Sequence, residues 1–409
     1  WDDNCQGGDL AGAALAPRLE RAASRYPGAP RRNVVLISID TLRADRLGVY
    51  GHPRPTSPVI DALAARATVF EQAFSPSPST RHAVPALLSS RYPSTLRFRK
   101  GSWPPKLAPR AHPMLGQSFQ AAGYRTQAVL CCDEMFDKAS GVIDGIKAID
   151  TTADEVDDKP ADAVARPARA FLETTAGATQ PFFLWVHLFD PHEPYVVHDG
   201  ATRFGERAID RYDAEVAYAD AHIAWILEAI AAAGHAGDTI VAITADHGEG
   251  FDEHGRRYHG NSLYGELVHV PLIVAVPGSP ARRIDTPVST IDLGPTLLEL
   301  VGLARPAGQN GRSLAATVVD GGPAPDRTVL SELLSIRQQP RRLRAAYYGA
   351  WKLLWDLDAN TYELYALGED PLDQEDLAGD RPDVLADMRQ RLDRASDLEL
   401  TLLEPDRTR

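Results

Sequence analysis

The sequence predicts an α/β fold in which a mostly parallel central sheet is covered by helices on both faces. Two observations support this class. Short apolar runs of strand length recur through the first three quarters of the chain, and segments with helical periodicity separate them. After about residue 325 the pattern changes to short strands followed by an acidic helix. That change predicts a small C-terminal α+β subdomain with an antiparallel sheet.

Five apolar runs predict the strands of the central sheet. They are rich in β-branched and aromatic residues, as expected for strands that are buried on both faces. The predicted strands are 33–39, 125–131, 182–189, 239–245 and 271–276. Ligands of such sheets bind at the carboxyl ends of the strands, so polar residues that follow a strand are candidate site residues.

Helical periodicity fills the segments between these strands. The predicted helices are 57–66, 85–90, 115–122, 163–174, 212–233 and 290–301. In the last part of the chain the predicted elements are strands at 328–331, 344–348, 352–355 and 361–365, then a helix at 382–396. These patterns predict three regions: an N-terminal segment or linker at 1–30, a large α/β domain at 31–325 and the subdomain at 326–409.

Composition excludes several classes of protein. Lys and Arg number 43 against 56 Asp and Glu, so the net charge is −13 and the basic surface of a nucleic-acid-binding protein is not expected. An anionic substrate would therefore need a local positive site. Three cysteines are too few for a disulfide scaffold, and no apolar run approaches the ~18 residues of a membrane span. Nothing in the sequence indicates the oligomeric state.

Acidic and histidine residues collect where strands end. Asp246 and His247 close one predicted strand, and such a pair is well placed to bind a metal ion. His254 and His259 follow on a glycine-rich loop and favour a metal or anion site there. Asp40 ends the first strand, where it is equally suited to capping a helix. His192 lies between two prolines that stiffen its loop, although a plain proline-rich turn would look the same.

A hydroxyl residue precedes an apolar helix in the segment Ser-Pro-Ser-Pro-Ser-Thr. Thr80 at a helix N-terminus would meet free backbone N–H groups and the positive end of the helix dipole. Both lower the cost of an alkoxide and of an incoming anion, so Thr80 is a candidate nucleophile. Simple capping of the helix by Ser79 or Thr80 is the alternative that this segment alone favours.

Taken together, five segments in the same order resemble the sulfatase family of the alkaline phosphatase superfamily. They are NVVLISIDTLRADRLGVYG (33–51), SPSTRHAVPALLSSRYPS (77–94), PFFLWVHLFDPHEPY (181–195), TADHGEGFDEHGRRYHGNSLYGELVHVPLIV (244–274) and the tail 351–378. The resemblance implies an alkaline-phosphatase-like fold across most of the chain.

The resemblance also implies roles for individual residues. Asp40, Asp246 and His247 match metal ligands of the family. His192 matches the histidine that contacts the transferred group, and His259 occupies the place of a basic residue on the same group. Counting back from the Leu-Leu pair at 87–88 places Thr80 at the position of the nucleophile.

The nucleophile segment departs from the pattern of sulfatases proper. Those enzymes have Cys or Ser at the nucleophile position, oxidised to formylglycine, with Pro two residues later and Arg four residues later. Here Thr80 is followed by Arg81, His82, Ala83 and Val84, and no cysteine is nearby, so no formylglycine is expected. Arg81 or His82 is a candidate replacement for the missing arginine.

A second departure lies in the metal site that the resemblance implies. Thr41 stands where sulfatases have a second metal aspartate. In this it is similar to relatives that resemble phosphodiesterases and phosphoglycerol or phosphoethanolamine transferases, which use a metal-bound threonine.

These observations predict a metal-dependent hydrolase of small anionic sulfate or phosphate esters. Thr80 would be both a metal ligand and the nucleophile of a covalent ester intermediate, with His192, His259 and Arg81 acting on the transferred group. The ligand set favours Mn²⁺ or Zn²⁺, with Ca²⁺ less natural beside His247. An extracytoplasmic location, periplasmic or secreted, is expected from the resemblance.

Two alternatives remain open. The first is a phosphodiesterase, phosphonate hydrolase or phospho-group transferase. The second is a catalytically inactive metal-binding protein that recognises a glycan or another protein, an alternative suggested by the altered motif after Thr80.

Overall fold

The computed structural model describes residues 31–99, 106–108, 111–335 and 341–403; the predicted N-terminal segment 1–30 lies outside them. The strands are β1 Asn33–Ile39, β2 Thr68–Phe70, β3 Ala73–Phe74, β4 Arg125–Leu130, β5 Ala148–Asp150, β6 Phe182–Leu188, β7 Thr239–Ala245, β8 Gly250–Phe251, β9 Arg257–Tyr258, β10 Leu272–Ala275, β11 Arg282–Ile284, β12 Val288–Ser289, β13 Val329–Leu333, β14 Leu343–Tyr348, β15 Trp351–Asp356 and β16 Thr361–Ala366. The α-helices are α1 Pro58–Ala64, α2 Thr80–Ser89, α3 Leu115–Ala121, α4 Asp133–Phe136, α5 Ala161–Glu173, α6 Ala208–Ala232, α7 Gly265–Val268, α8 Leu293–Leu300, α9 Ala315–Asp320 and α10 Pro382–Leu403.

An eight-stranded sheet forms the centre of the molecule, in the order β11-β2-β10-β7-β1-β6-β4-β5. The strands β1, β6 and β7 are entirely buried, as their continuous apolar sequences predict. Strand β1 pairs in parallel with both β6 and β7, and Ile39 lies opposite Ala245 in the register with β7. Asp40 and Asp246 therefore leave neighbouring strands at the same edge of the sheet.

The α/β class and the mostly parallel sheet are confirmed, but the predicted strand 271–276 does not run parallel to its neighbours. It forms the antiparallel strand β10 between β7 and β2. The short helix α7 lies only a few residues before β10. The chain thus enters β10 soon after the site loop that follows β7, and returns across the sheet in the opposite direction.

Helix α2 begins at Thr80, five residues before the predicted start at Pro85. The prediction followed the helical periodicity of the segment. In the structure the turn begins earlier, because the backbone N–H groups of His82 and Ala83 both donate to the carbonyl of Ser79. Thr80 is consequently the first helical residue, directly at the N-terminus.

The C-terminal part has the predicted antiparallel sheet, in the order β13-β14-β15-β16. A stacked pair of rings, Phe74 and Tyr347 with centroids 3.7 Å apart, joins this sheet to the main domain. The buried ammonium of Lys352 on β15 adds a second connection, since it donates to the Leu263 carbonyl and to Asp373. Among the described residues, no helix combines the length and apolar character needed to cross a membrane.

Candidate active site

Four side chains that the sequence singled out meet at the carboxyl edge of the sheet. Thr80 Oγ1 lies 2.9 Å from His247 Nε2 and 3.5 Å from Asp40 Oδ1. His247 Nε2 lies 3.6 Å from Asp40 Oδ1 and 3.5 Å from Asp246 Oδ2. All four residues are buried. Asp40, Asp246 and His247 present ligand atoms close enough together to hold one metal ion.

Backbone N–H groups hold the carboxylate of Asp246 in place. Thr41 has a φ of 55°, a left-handed conformation that is uncommon for a β-branched residue. Its N–H donates to Asp246 Oδ1 over 3.3 Å, and the N–H of His247 donates to the same oxygen over 2.9 Å. One oxygen of Asp246 is thereby occupied, and the other remains for a ligand.

The imidazole of His247 is oriented for ligation. Its Nδ1 lies 2.9 Å from the Gly248 carbonyl, which accepts a hydrogen and so fixes the proton on Nδ1. Nε2 is then the nitrogen with a free lone pair. Burial, together with the charge of His259, lowers the pKa of His247 to about 3, so the ring is neutral as a metal ligand must be.

The unpartnered polar atoms at this edge fit a divalent cation. Asp246 Oδ2 and Thr41 Oγ1 are buried and have no hydrogen-bond partner among the described residues. Burial and the charge of Asp40 raise the pKa of Asp246 to about 7. Burial acts in the same direction on Asp40, but nearby histidines, His192 first, hold its pKa below the usual range. A divalent cation bound by these carboxylates would offset their mutual repulsion.

The strand sequence FFLWVHLF contains a site residue to which the sequence analysis assigned no role. His187 is fully buried in β6, and its Nε2 lies 3.8 Å from Asp40 Oδ2. Ser38 Oγ accepts the indole N–H of Trp185 and lies 2.8 Å from His187 Nδ1, so it orients the ring. A histidine near the carboxyl end of an otherwise apolar buried strand is the signal that could have identified it.

His192 and His259 lie together above the buried group, with ring centroids 5.0 Å apart. The ring of His259 is 4.5 Å from that of His247, and its Nδ1 lies 3.2 Å from Glu249 Oε1. Burial opposes the charge on His259, but the hydrogen bond to Glu249 and its charge outweigh burial and raise the pKa of His259. The raised pKa favours the positively charged form of His259, which lines the same cavity as Thr80.

A cavity of about 390 Å³ opens above Thr80. Thr80, Asp40, His192 and His259 line its inner end. Its other lining residues combine charge with apolar surface: Ser79, Arg81, His82, Cys132, Glu134, Met135, Lys159, Phe189, Gly260, Leu333 and Leu334. The cavity is large enough for a small ester and offers it several positive groups.

Arg81 and His82 differ in what they can offer a ligand. Arg81 is half-buried, and burial lowers the pKa of its guanidinium without neutralising it. His82 is buried and packs edge-on against Phe98. Burial and the charge of Arg81 lower the pKa of His82 to about 4, so His82 is neutral near pH 7. Arg81 is thus the charged one of the pair.

A second buried network secures the loop that carries His192. Asp190 accepts from the Ala161 N–H and lies 3.2 Å from His198 Nε2. Glu215 on α6 accepts from the Val196 N–H. The carboxylates of Asp190 and Glu215 therefore hold the chain on either side of His192. Burial, reinforced by Asp190, raises the pKa of Glu215 to about 10, so Glu215 holds a proton near neutral pH.

Arg43, which no sequence pattern singles out, connects two loops of the site. It is fully buried, and its guanidinium bonds Asp45, Glu253 and the Glu249 carbonyl. It thus joins the loop after β1 to the loop after β7, beneath His259. By contrast, His254 lies away from the site, since it bonds Glu266 and the Asp373 carbonyl and stacks on Tyr264.

A buried hydroxyl at a helix N-terminus, a carboxylate–imidazole cluster that could hold a metal ion and a cavity with positive groups are typical of a hydrolase or transferase of anionic esters. Comparison with known proteins makes the class specific. The family model described as Sulfatase matches residues 32–303, more than half of the chain, and the model described as N-sulphoglucosamine sulphohydrolase, C-terminal, matches residues 252–397. The chain belongs to the sulfatase family, and its class is that of the sulfuric ester hydrolases.

Two named sulfatases align with most of this chain in sequence. The chain is 25% identical over 357 residues to the uncharacterized sulfatase YidJ of Escherichia coli, covering 70% of this chain and 71% of that protein. It is also 25% identical over 431 aligned positions to the Delta 4,5-hexuronate-2-O-sulfatase of Bacteroides thetaiotaomicron, covering 88% of each.

Solved structures share the fold. A sulfatase structure from Bacteroides thetaiotaomicron superposes with a TM-score of 0.78 at 23% identity, covering 90% of this chain and 93% of that one. The phosphonate monoester hydrolase of Agrobacterium radiobacter superposes with a TM-score of 0.74 at 19% identity, covering 90% and 96%. The alkaline-phosphatase-like architecture with an antiparallel C-terminal sheet is thereby confirmed.

Proposed function

We propose that this chain hydrolyses small sulfate or phosphate esters with Thr80 as its nucleophile. One observation carries the proposal: Thr80 Oγ1 is buried at the N-terminus of α2, 2.9 Å from His247 Nε2 and beside Asp40. Family membership supports ester hydrolysis. The sequence excludes the usual Cys or Ser at this position, so the attacking group is an ordinary hydroxyl.

Asp40, Asp246, His247 and Thr80 are the residues we assign to the metal site. Two carboxylates, one imidazole and a hydroxyl suit Mn²⁺ or Zn²⁺ better than Ca²⁺. A cation bound by these residues would supply Lewis acidity that lowers the pKa of the Thr80 hydroxyl. Backbone N–H groups at the start of α2 also favour the alkoxide.

The chain's own groups then account for the two half-reactions. The Thr80 alkoxide forms a bond to sulfur or phosphorus as the bond to the leaving oxygen breaks. His259, whose protonated form Glu249 favours, meets the charge on the equatorial oxygens, with Arg81 also lining the cavity. The half-exposed His192 gives its proton to the leaving oxygen.

The second half-reaction restores the enzyme. His192, now neutral, accepts a proton from a water molecule as that water attacks the covalent ester. The bond between Thr80 and the transferred group breaks, sulfate or phosphate leaves, and the Thr80 alkoxide is regenerated.

A substrate panel tests this function and separates it from its alternatives. An aryl sulfate, a phosphate monoester and a phosphodiester are assayed side by side with Mn²⁺ and with Zn²⁺. We expect turnover of at least one ester, abolished by chelation and restored by metal. Binding of metal with no turnover of any ester would instead support the inactive, ligand-recognising alternative.

A metal-site variant tests the ligand assignment. Asp246→Asn removes the carboxylate that lies between Thr41 and His247, so we expect it to lose bound metal and activity together. The exposed Asp393 gives a matched control in Asp393→Asn, which we expect to retain both. Elemental analysis of dialysed protein measures the metal, and full retention by Asp246→Asn would refute the assignment.

A further inference from the structure

A second cavity, of about 460 Å³, lies where the main domain meets helix α10. Five arginines line it, and we call it the arginine pocket: Arg305, Arg312, Arg327, Arg391 and Arg394. Asp326 is the one acidic residue among its described lining residues. In a chain with a net charge of −13, this concentration of positive charge opposes the overall composition.

Two of the five arginines are fixed by partners. Arg327 is mostly buried, lies 2.5 Å from Asp292 Oδ1 and donates to the Tyr92 hydroxyl over 3.1 Å. Arg391 bonds Asp387 over 2.7 Å and packs 3.5 Å above the Tyr348 ring. These contacts hold the inner wall and the α10 side of the pocket in place.

The other three arginines carry the positive charge of the pocket. Within the described ranges, Arg305, Arg312 and Arg394 have no ion-pair partner, and Asp326 forms no ion pair with any of them. Three guanidinium groups that line one cavity repel one another, so an anion bound between them would be stabilised. Guanidinium donors match the oxygens of sulfate and phosphate groups in pairs.

We propose that the arginine pocket binds a tetrahedral oxyanion, a sulfate or phosphate group that is either free or carried on a sugar. Its walls come from the 305–312 loop, the segment before β13 and helix α10, so the bound anion would join the main domain to the C-terminal helix. Tyr92 follows the end of α2, whereas Thr80 begins it, about 15 Å away along the helix. The site is therefore separate from Thr80 and does not depend on the proposed function.

Calorimetric titration tests the proposal, with one variant at the Thr80 site combined with variants inside and outside the arginine pocket. His259→Ala weakens anion binding at the Thr80 site. Two further variants are made in the His259→Ala background. The pocket double variant, Arg312→Gln with Arg394→Gln, changes two exposed side chains that line the pocket. The control, Arg389→Gln, changes an exposed arginine on α10 that lies over Tyr362, outside the pocket. The titrants are sodium sulfate, sodium phosphate and a sulfated disaccharide at constant ionic strength.

We expect the His259→Ala protein to bind one anion and the Arg389→Gln variant to match it. The pocket double variant should bind at least about tenfold more weakly, the equivalent of one lost charge-assisted hydrogen bond. Tighter binding of the disaccharide would identify a sulfated sugar as the ligand, and tighter binding of the inorganic ions a free oxyanion. Equal affinity in the pocket double variant and its control would overturn the proposal, whether or not Thr80 is the nucleophile.

Discussion

At the residue scale, the candidate metal site depends on which side-chain atoms of its residues already have hydrogen-bond partners. The backbone occupies Asp246 Oδ1 and the Gly248 carbonyl occupies His247 Nδ1. Asp246 Oδ2 has no partner among the described residues, and His247 Nε2 lies 3.5 Å from it and 2.9 Å from Thr80 Oγ1. A sequence shows which residue types are present, but it does not show which of their atoms are free.

Glu249 controls the charge of His259, and this gives a prediction about pH. Glu249→Gln removes the carboxylate that raises the pKa of His259, so the protonated form is lost at lower pH. We expect the alkaline limb of the kcat/KM profile to move to lower pH. His259→Lys keeps a positive charge at higher pH, so its alkaline limb should move in the opposite direction. Coincident profiles for wild type and Glu249→Gln would contradict this role.

At the element scale, helix α6 holds the loop that carries His192 through one protonated side chain. The pKa of Glu215 rises from 4.5 to about 10 in the folded protein, because burial, reinforced by Asp190, disfavours its charge. The folded state therefore keeps a proton that the unfolded chain releases. Stability contributed by this proton falls as pH rises from 4.5 towards about 10, by up to about 1.4 kcal/mol per pH unit.

Glu215→Gln imitates the protonated form and should remove this pH dependence. We expect a flatter curve of unfolding free energy against pH than in wild type, measured by urea unfolding at several pH values. Glu228→Gln, an exposed change on the same helix, is the matched control and should keep the wild-type slope. An unchanged slope in Glu215→Gln would mean that Glu215 is charged in the folded protein.

At the scale of the whole molecule, a buried ion pair helps to join the C-terminal sheet to the site loops. Lys352 and Asp373 are both nearly inaccessible to solvent, and Asp373 also accepts the N–H of Gly265 at the start of α7. Removing one partner leaves an uncompensated buried charge, which typically costs about 3–5 kcal/mol. The free energy of unfolding of Asp373→Ala should fall by about that amount.

The double variant Lys352→Met/Asp373→Ala provides the test of that explanation. It leaves no buried charge, so it should recover most of the lost stability. Equal instability of the single and double variants would point instead to lost packing or to the lost Gly265 hydrogen bond.

Sequence patterns were sufficient to predict the bounds of strands that are buried along their whole length. The bounds predicted for β1 and β7 agree with the structure, because a fully buried strand is a continuous apolar run. The direction of β10 and the start of α2 depended on short connections and backbone turns that periodicity does not encode. His187 and Arg43 were not assigned roles because their partners Asp40 and the Glu249 carbonyl lie far away in the chain. Glu249 lies only ten residues before its partner His259, but a sequence does not show that the intervening loop turns the two side chains together.

The central claim is that Thr80 becomes covalently attached to the transferred group. Mass spectrometry of acid-quenched enzyme, taken during turnover of the best ester in the panel, measures this directly. We predict that the peptide containing Thr80 gains one sulfo or phospho group, that Thr80→Ser also gains it, and that metal-loaded Thr80→Ala neither gains it nor turns over. Wild-type turnover rates in metal-loaded Thr80→Ala would contradict the account.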